Sequence, residues 1–513
     1  MLSHLWAVLT GISVTYVFLW ALLRLTQDAG EPPVDDISIP FISPAIGLAR
    51  NGSTHLPIYT VRLPSTRLYV VNSTALIPPV QRLARSISFS PILVRMAASV
   101  MAVSKPALDV ISRDALDDHG FLMQTSKATL SSLSPGPKLD ALNRKSVGIL
   151  SASLEDLAAS IREPKCVKMY GLIHREIMMA TTEGVFGDRN PFRDPTVQGV
   201  WDTYERGFVR LMLGVAPALT ARECFQARKV LIGAFEKYYA EGGYSDSEAS
   251  AFVKDRYEFF IQRGLEQPDI ARMELTTAVA LFANTVPATF WLVYHVLSDA
   301  AVFSDCYKEL SGAVRERDGH CTVDIDYIRS SCPVFVSTFQ EVMRFHGIGM
   351  TVRVVTEDST LSGKFLLKKG GLVLIPAETQ HSLKSAWGEN VGEFDHRRFV
   401  QEPGSKTRRH DPVAFRAFGG GLRLCPGRHL ASTETLALAS FIILRFDVRP
   451  MSGHWTTPTT AKSSPGVSIA QPDYDIDIEV RPRDRRKWIV VSSGAAKAMM
   501  VSAEDIANNP LGI

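Results

Sequence analysis

Phe418-Gly419-Gly420-Gly421-Leu422-Arg423-Leu424-Cys425-Pro426-Gly427 sets one cysteine behind a glycine-rich bend. The residues that follow, Arg428-His429-Leu430-Ala431-Ser432-Thr433-Glu434-Thr435-Leu436-Ala437-Leu438, read as a helix. A sulfur at a helix start lies near the positive end of the helix dipole and beside backbone N–H donors, and both favour the thiolate. The glycines let the backbone turn where a side chain would collide with something large and flat. Arg423, two residues before the sulfur, can neutralise an anion on the same object. A thiolate, a tight bend and a cation together suggest an axial haem ligand. A lone cysteine at this place would instead read as a buried thiol.

The spacing is more informative than the cysteine. F-x-x-G-x-R-x-C-x-G, filled by Phe418, Gly421, Arg423, Cys425 and Gly427, resembles the haem-binding loop of the cytochrome P450 family at every fixed position. The resemblance implies a mainly α fold with a small β subdomain. It also implies haem b held by the Cys425 thiolate as axial iron ligand, with Phe418, Arg423 and Gly427 in the binding loop.

Working outward, the supporting residues come next. Glu341 and Arg344, in Phe339-Gln340-Glu341-Val342-Met343-Arg344-Phe345, share a face at helical spacing and can pair. Their apolar neighbours suggest burial, where each charge must satisfy the other. The spacing is the family's E-x-x-R element. Phe394-Asp395-His396-Arg397-Arg398-Phe399 resembles its F-x-P-x-R-F segment, with His396 in place of proline and Arg398 as third partner. Arg353, on the strand expected after that helix, resembles a haem-propionate partner, as does Arg423. The family's Trp-x-x-x-Arg helix has no clear counterpart. Leu139 to Lys145 occupies its place without a tryptophan, so the remaining propionate contact is left open.

Glu274 to Leu297 is long and apolar enough to be a buried helix, with Pro287 expected to kink it. Thr285 would then lie near carbonyls freed by the proline, and its hydroxyl is expected to hold water. The segment resembles the family's oxygen-side helix, in which the matching threonine helps deliver protons to dioxygen. Asn284 stands where the family usually has an acid, an arrangement similar to sterol 7α-hydroxylases and prostacyclin synthase. An amide does not shuttle protons as an acid does, but it can orient water or a substrate oxygen. Leu281, Phe282 and Ala283 are the expected pocket lining.

Leu5 to Leu23 carries no charge and can span the roughly 30 Å hydrocarbon layer as one transmembrane helix. A cleaved signal peptide is the alternative, but the segment lacks a basic start and a small-x-small cleavage site. The expected organisation is a membrane anchor at 1–24, a proline-rich hinge at 25–48, a catalytic domain at 49–488 and a tail at 489–513. Residues 58–63 and 67–71 read as a β-hairpin. Helical signals dominate from about 75 to 320, and strands are expected at 352–355, 365–367, 372–376, 467–470 and 476–480.

The composition excludes some partners. Net charge is only +3, from 56 basic and 53 acidic residues, so no field favours nucleic acid. Five of the six cysteines are scattered and read as reduced thiols, which fits a compartment open to the cytosol.

The resemblance implies a monooxygenase. It would use O2 and electrons from NADPH through NADPH-cytochrome P450 reductase to hydroxylate an apolar small molecule, with a terpenoid or sterol-like ring system preferred. Arg408, Arg409 and Arg428 are the expected basic patch for the electron donor. The place implied is the endoplasmic reticulum membrane, with one pass through the lipid bilayer and the catalytic domain in the cytosol. Two other readings stay open: an isomerase or dehydratase on the same fold that needs no O2, and a non-catalytic haem-binding protein.

Overall fold

The computed structural model describes residues 2–35, 39–43, 55–63, 65–214, 216–401, 410–464, 466–494, 499–502 and 504–505. The principal helices are α1 (Leu2–Thr26), α2 (Phe121–Leu133), α3 (Pro137–Ser160), α4 (Met169–Phe186), α5 (Pro195–Leu213) and α6 (Arg222–Ala240). They continue with α7 (Gln267–Phe282), α8 (Thr285–Ser298), α9 (Pro333–Phe345) and α10 (Arg428–Arg445). The apolar sides of α2 to α10 meet in one large core in which Trp201, Phe282, Phe290 and Trp291 are fully enclosed. Helix α10, directly after the cysteine, is buried over almost its whole length, so the thiol loop is anchored to the centre of the molecule.

The hairpin forms as expected: β1 (Ile58–Arg62) pairs antiparallel with β2 (Arg67–Val71). It belongs to a sheet that also holds β3 (Ile87–Ser88), β7 (Met350–Val355) and β10 (Leu372–Pro376), in the order β1-β2-β10-β7-β3. Alternation along β1 sends Ile58 to one apolar cluster and Tyr59 and Val61 to another, so both faces are covered. β8 (Ser359–Leu361) and β9 (Phe365–Leu367) form a small hairpin beside it.

Two further sheets join segments far apart in sequence. β4 (Lys165–Lys168), β11 (Phe446–Pro450) and β12 (Asp477–Pro482) form one, in the order β11-β12-β4. β5 (Val314–Arg317), β6 (His320–Asp324) and β13 (Lys487–Val491) form the other, in the order β13-β6-β5. β13 runs past residue 488, the boundary expected from sequence, because its register with β6 continues to Val491↔Asp324. The strand expected at 467–470 is reduced to a single bridge, Gly347↔Ile469.

Among the described residues two segments are long and apolar enough to cross a membrane, and burial separates them. The window in Gln267–Ser298 is 72% buried and is core, whereas that in Trp6–Thr26 is only 6% buried. The proline-rich segment after α1 makes defined contacts at its start. Glu31 accepts hydrogen bonds from Arg67 Nε at 3.2 Å and Tyr69 O–H at 3.1 Å. Thr60 donates from N–H to Pro33 O and from its hydroxyl to Pro32 O, both at 2.8 Å. Residues 31–35 therefore dock along the β1 edge, where backbone carbonyls left without N–H partners by the prolines still find donors.

Candidate active site

The cysteine loop is closed by its own backbone. Cys425 N–H donates to Phe418 O at 3.0 Å and Leu424 N–H to Gly421 O at 3.1 Å. Gly421 has φ +62°, a left-handed turn that suits glycine. A Cβ on Gly420 would come within 2.6 Å of the Arg416 guanidinium, so that position is kept bare by packing. Gly427 precedes α10 directly and points its N–H toward the sulfur.

The Cys425 thiol sits differently from the helix-start expectation. Dense surroundings push its pKa up, while the N–H groups of Gly427 and Arg428 and the Arg428 charge pull it down; the net direction is upward. Desolvation of a thiolate outweighs the helix terminus when no counter-ion is bound. Coordination to a metal ion removes a thiol proton outright.

Beside the loop are two cavities of about 300 and 310 Å³ that share Phe89, Leu422 and Arg423. One is largely apolar, walled by residues including Phe121, Leu122, Met273, Leu424 and Pro426. The other carries Arg353 and Arg423 in its lining. Arg353 on β7 is buried, its Nε has no hydrogen-bond partner, and no carboxylate among the described residues lies within ion-pair distance of it or of Arg423. Burial lowers the Arg353 pKa to about 10, helped by the charges of Arg423 and Arg416. Arg423 donates only to hydroxyls, those of Ser126 at 3.0 Å and Ser90 at 3.3 Å.

Arg416 was not legible as a site residue. It lies two positions before Phe418, is buried, and has an orphan Nε. The available signal was an arginine inside the apolar run Ala414-Phe415-Arg416-Ala417-Phe418, with no acidic neighbour to pair with it. Three desolvated guanidiniums of like charge are costly unless an anion joins them. An apolar cavity lined by Leu424 and Pro426, the two neighbours of Cys425, and joined through Arg423 to a cavity carrying Arg353, suits a flat, dianionic, metal-bearing macrocycle. On that test the residues fit haem.

Behind the loop, the ionic core closes. Glu341 takes two hydrogen bonds from Arg344, both 2.7 Å, and two from Arg398 Nε, both 3.1 Å, with all three side chains buried. Asp395 N–H also donates to Glu341, at 3.0 Å. Arg344 donates to His381 O at 2.8 Å, and His381 Nε2 accepts the Arg416 N–H at 2.9 Å. That chain of contacts ties the core to the cysteine loop. His396, in the proline position, bonds Asp305 at 2.8 Å instead.

The segment expected as a kinked rod is a buried helical span whose break is a two-residue turn with αR backbone. It is two helices, α7 and α8, with a turn at Ala283-Asn284. Pro287 is the third residue of α8, within the first turn, where a missing N–H costs nothing. Its ring excludes a continuous helix through Ala283, four residues back. Thr285 is buried and its hydroxyl donates to Leu281 O at 3.3 Å, so it back-bonds to α7 rather than being left to water. Asn284 Oδ1 accepts the N–H groups of Ser468 at 2.6 Å and Ile469 at 3.3 Å. The amide oxygen is therefore committed to a loop and not to water or substrate. Phe282 packs against Trp201 and Phe192, in the aromatic core rather than in the described cavities.

The expected basic patch is also revised. Arg408 and Arg409 lie outside the described residues. Arg428 is paired with Asp505, and its side chain is only 12% exposed.

One buried acid was overlooked. Glu434 on α10 is fully buried and accepts the Thr181 hydroxyl at 2.8 Å, and burial pushes its carboxyl from 4.5 to about 8. A carboxyl raised in the fold binds protons more tightly there than in the unfolded chain. Stability should therefore fall as pH rises from about 4.5 toward about 8, by at most about 1.4 kcal/mol per pH unit. Glu205, raised to about 7 mainly by burial, adds a decline of the same sign that ends earlier. Urea denaturation across that range should show the decline in the native chain and a clearly shallower one in Glu434→Gln. Equal slopes would mean that Glu434 is ionised in the fold.

The family model "Cytochrome P450" matches residues 210–478. Cytochrome P450 monooxygenase nodJ of Hypoxylon pulicicidum is 31% identical over 484 residues, covering 90% of this chain and 92% of that protein. Cytochrome P450 7A1 of Rattus norvegicus is 21% identical over 529 residues, covering 94% and 99%. The solved structure of retinoic acid bound cyanobacterial CYP120A1 superposes with a TM-score of 0.65 at 16% identity, covering 89% and 100%, a likeness of fold.

Proposed function

This chain belongs to the cytochrome P450 monooxygenase family, and from that premise we propose that it hydroxylates an apolar, terpenoid- or sterol-like polycyclic substrate. The observation that carries this is the placing of Arg353 and Arg423, cations with no carboxylate at ion-pair distance among the described residues, in two joined cavities walled by Leu424 and Pro426 on either side of Cys425. Haem b, when bound, would supply the iron chemistry that activates O2.

The chain's own residues do the rest. Cys425 would hold the iron of the group through its thiolate, in the loop of Phe418 and Gly427. Arg353, Arg416 and Arg423 would hold the two carboxylates of the group. Glu341, Arg344 and Arg398 brace the fold behind the loop. Apolar walls such as Phe121, Leu122 and Met273 exclude water and suit a ring system without charge. Thr285, at the turn between α7 and α8, would move a proton through its hydroxyl on releasing its bond to Leu281 O, and Asn284 holds that turn in place through Ser468.

The arrangement of the chain follows the same reading: anchor 1–24, segment 25–48, catalytic domain from 49 to the end of β13, then a tail. The exposed apolar helix α1 supports anchoring in the endoplasmic reticulum membrane, with the body in the cytosol. Electrons would come from NADPH through NADPH-cytochrome P450 reductase.

A second reading rests on Asn284. With an amide in the acid's usual place, and its oxygen taken by the 468–469 backbone, proton delivery depends on Thr285 alone. That favours a rearrangement or dehydration without O2. Turnover under isotopically labelled O2 with a reductase and NADPH separates the two. Hydroxylation places label in the product, and Thr285→Ala lowers product about 10²-fold while raising peroxide release. Unlabelled product formed without NADPH, and indifferent to Thr285→Ala, would reject the monooxygenase reading.

A further inference from the structure

The tail after β13 returns to the cysteine loop. Met499 and Val501 are buried, and Gln340 Nε2 on α9 donates to Met500 O at 3.1 Å. Ser502 then organises a short turn: its hydroxyl donates to Asp505 Oδ2 at 2.9 Å and accepts the Asp505 N–H at 3.0 Å. Held this way, Asp505 grips Arg428 at both carboxylate oxygens, with Nε at 3.0 Å and Nη2 at 2.6 Å. The neighbouring Glu504 accepts the Gly421 N–H at 2.5 Å. Two acids of the tail thus engage the cysteine loop on either side of the sulfur.

Arg428 is the important partner. Its Nη1 donates to Cys425 O at 3.2 Å, so its charge sits against the residue that carries the sulfur. The pair is nearly enclosed, with side chains 12% and 10% exposed, so water screens it weakly. In such surroundings a closed ion pair presents a small dipole to the sulfur, and an opened one presents a full positive charge.

We propose that Asp505 is a positioning residue for the cysteine ligand, holding Arg428 in a closed ion pair so that the sulfur keeps its electron density and the iron its low reduction potential. The inference rests on the reading of Cys425 as iron ligand. An uncompensated cation near a thiolate draws density from sulfur and hence from iron, which favours the ferrous state and raises the potential. The geometry of Glu504 complements this by seating Gly421, the left-handed residue of the bend.

The test is a dithionite titration of the full-length holoprotein with mediator dyes, monitored by absorbance. Asp505→Asn should shift the ferric/ferrous midpoint to more positive values. Arg428→Gln should shift it to more negative values, since Asp505 is then left uncompensated. The double variant should return close to the native midpoint. Ser502→Ala keeps both charges and loosens only the turn, so it should give a smaller positive shift; it also serves if Asp505→Asn does not fold. Native midpoints in every variant, with only thermal stability lowered, would overturn the proposal and leave the tail a structural strap. Failure of the underlying reading looks different: the native protein itself would then lack a thiolate-type spectrum as the reduced carbonyl adduct.

Discussion

Cys425→Ala should lose the strongly red-shifted Soret band of the reduced, carbon monoxide-bound protein and with it all NADPH-dependent product formation. The loss is expected to be complete because no other thiol can stand in. Cys224, Cys306 and Cys332 are enclosed in the core, and burial pushes their thiols up to about 11, 12 and 12. Cys321 is buried with its thiol raised as well, and Cys166 is exposed on β4. Only Cys425 joins partial accessibility to a bend lined by backbone donors and flanked by cations. A well-folded Cys425→Ala protein that kept the thiolate-type band would remove the central assignment.

Glu341→Ala should be nearly as damaging, through stability instead of chemistry. The Glu341 carboxylate accepts from Arg344, Arg398 and the Asp395 N–H, and it is fully enclosed. Its deletion strands two buried guanidiniums. Each retains carbonyl acceptors, Arg344 at His381 and Val391 and Arg398 at Trp387 and Asn390, but neither retains a counter-charge. Removing one partner of a buried ionic group costs about 3–5 kcal/mol, a large part of the roughly 5–15 kcal/mol that holds a typical domain together. Urea denaturation followed by tryptophan fluorescence should show that loss. Because Arg344 reaches Arg416 through His381, haem retention should weaken in the same variant. A loss below about 1 kcal/mol would mean that the cluster behaves as an exposed pair.

Some of this was readable from local spacing because the contacts are local. The bend before Cys425 depends on glycines within ten residues. Glu341 and Arg344 meet because three residues of helix separate them, and β1 and β2 pair across a short turn. The helix break at Ala283-Asn284 was less readable, because Pro287 is compatible with either a kink or a first turn. Which one forms depends on whether Asn284 finds partners, and these lie on residues 468 and 469.

Contacts across long separations were not readable at all. The docking of residues 31–35 on β1 needs Arg67 and Tyr69 already in place. Arg416 gains meaning only when β7 brings Arg353 near it, and Asp505 only when the chain returns to Arg428. Nothing in a run of neighbouring letters encodes such a meeting, since it is set by the packing of whole elements.

The sequence by itself determined the family, the cysteine that carries the chemistry and the ionic partners behind it, because these depend on spacing along one turn or one helix. Tertiary structure alone decided that Asn284 is a strut for a loop, that a third guanidinium, Arg416, is buried near Arg353, and that the tail closes on Arg428. Each of those outcomes is a desolvated charge or amide seeking a partner, and only the folded chain decides which partner lies within reach.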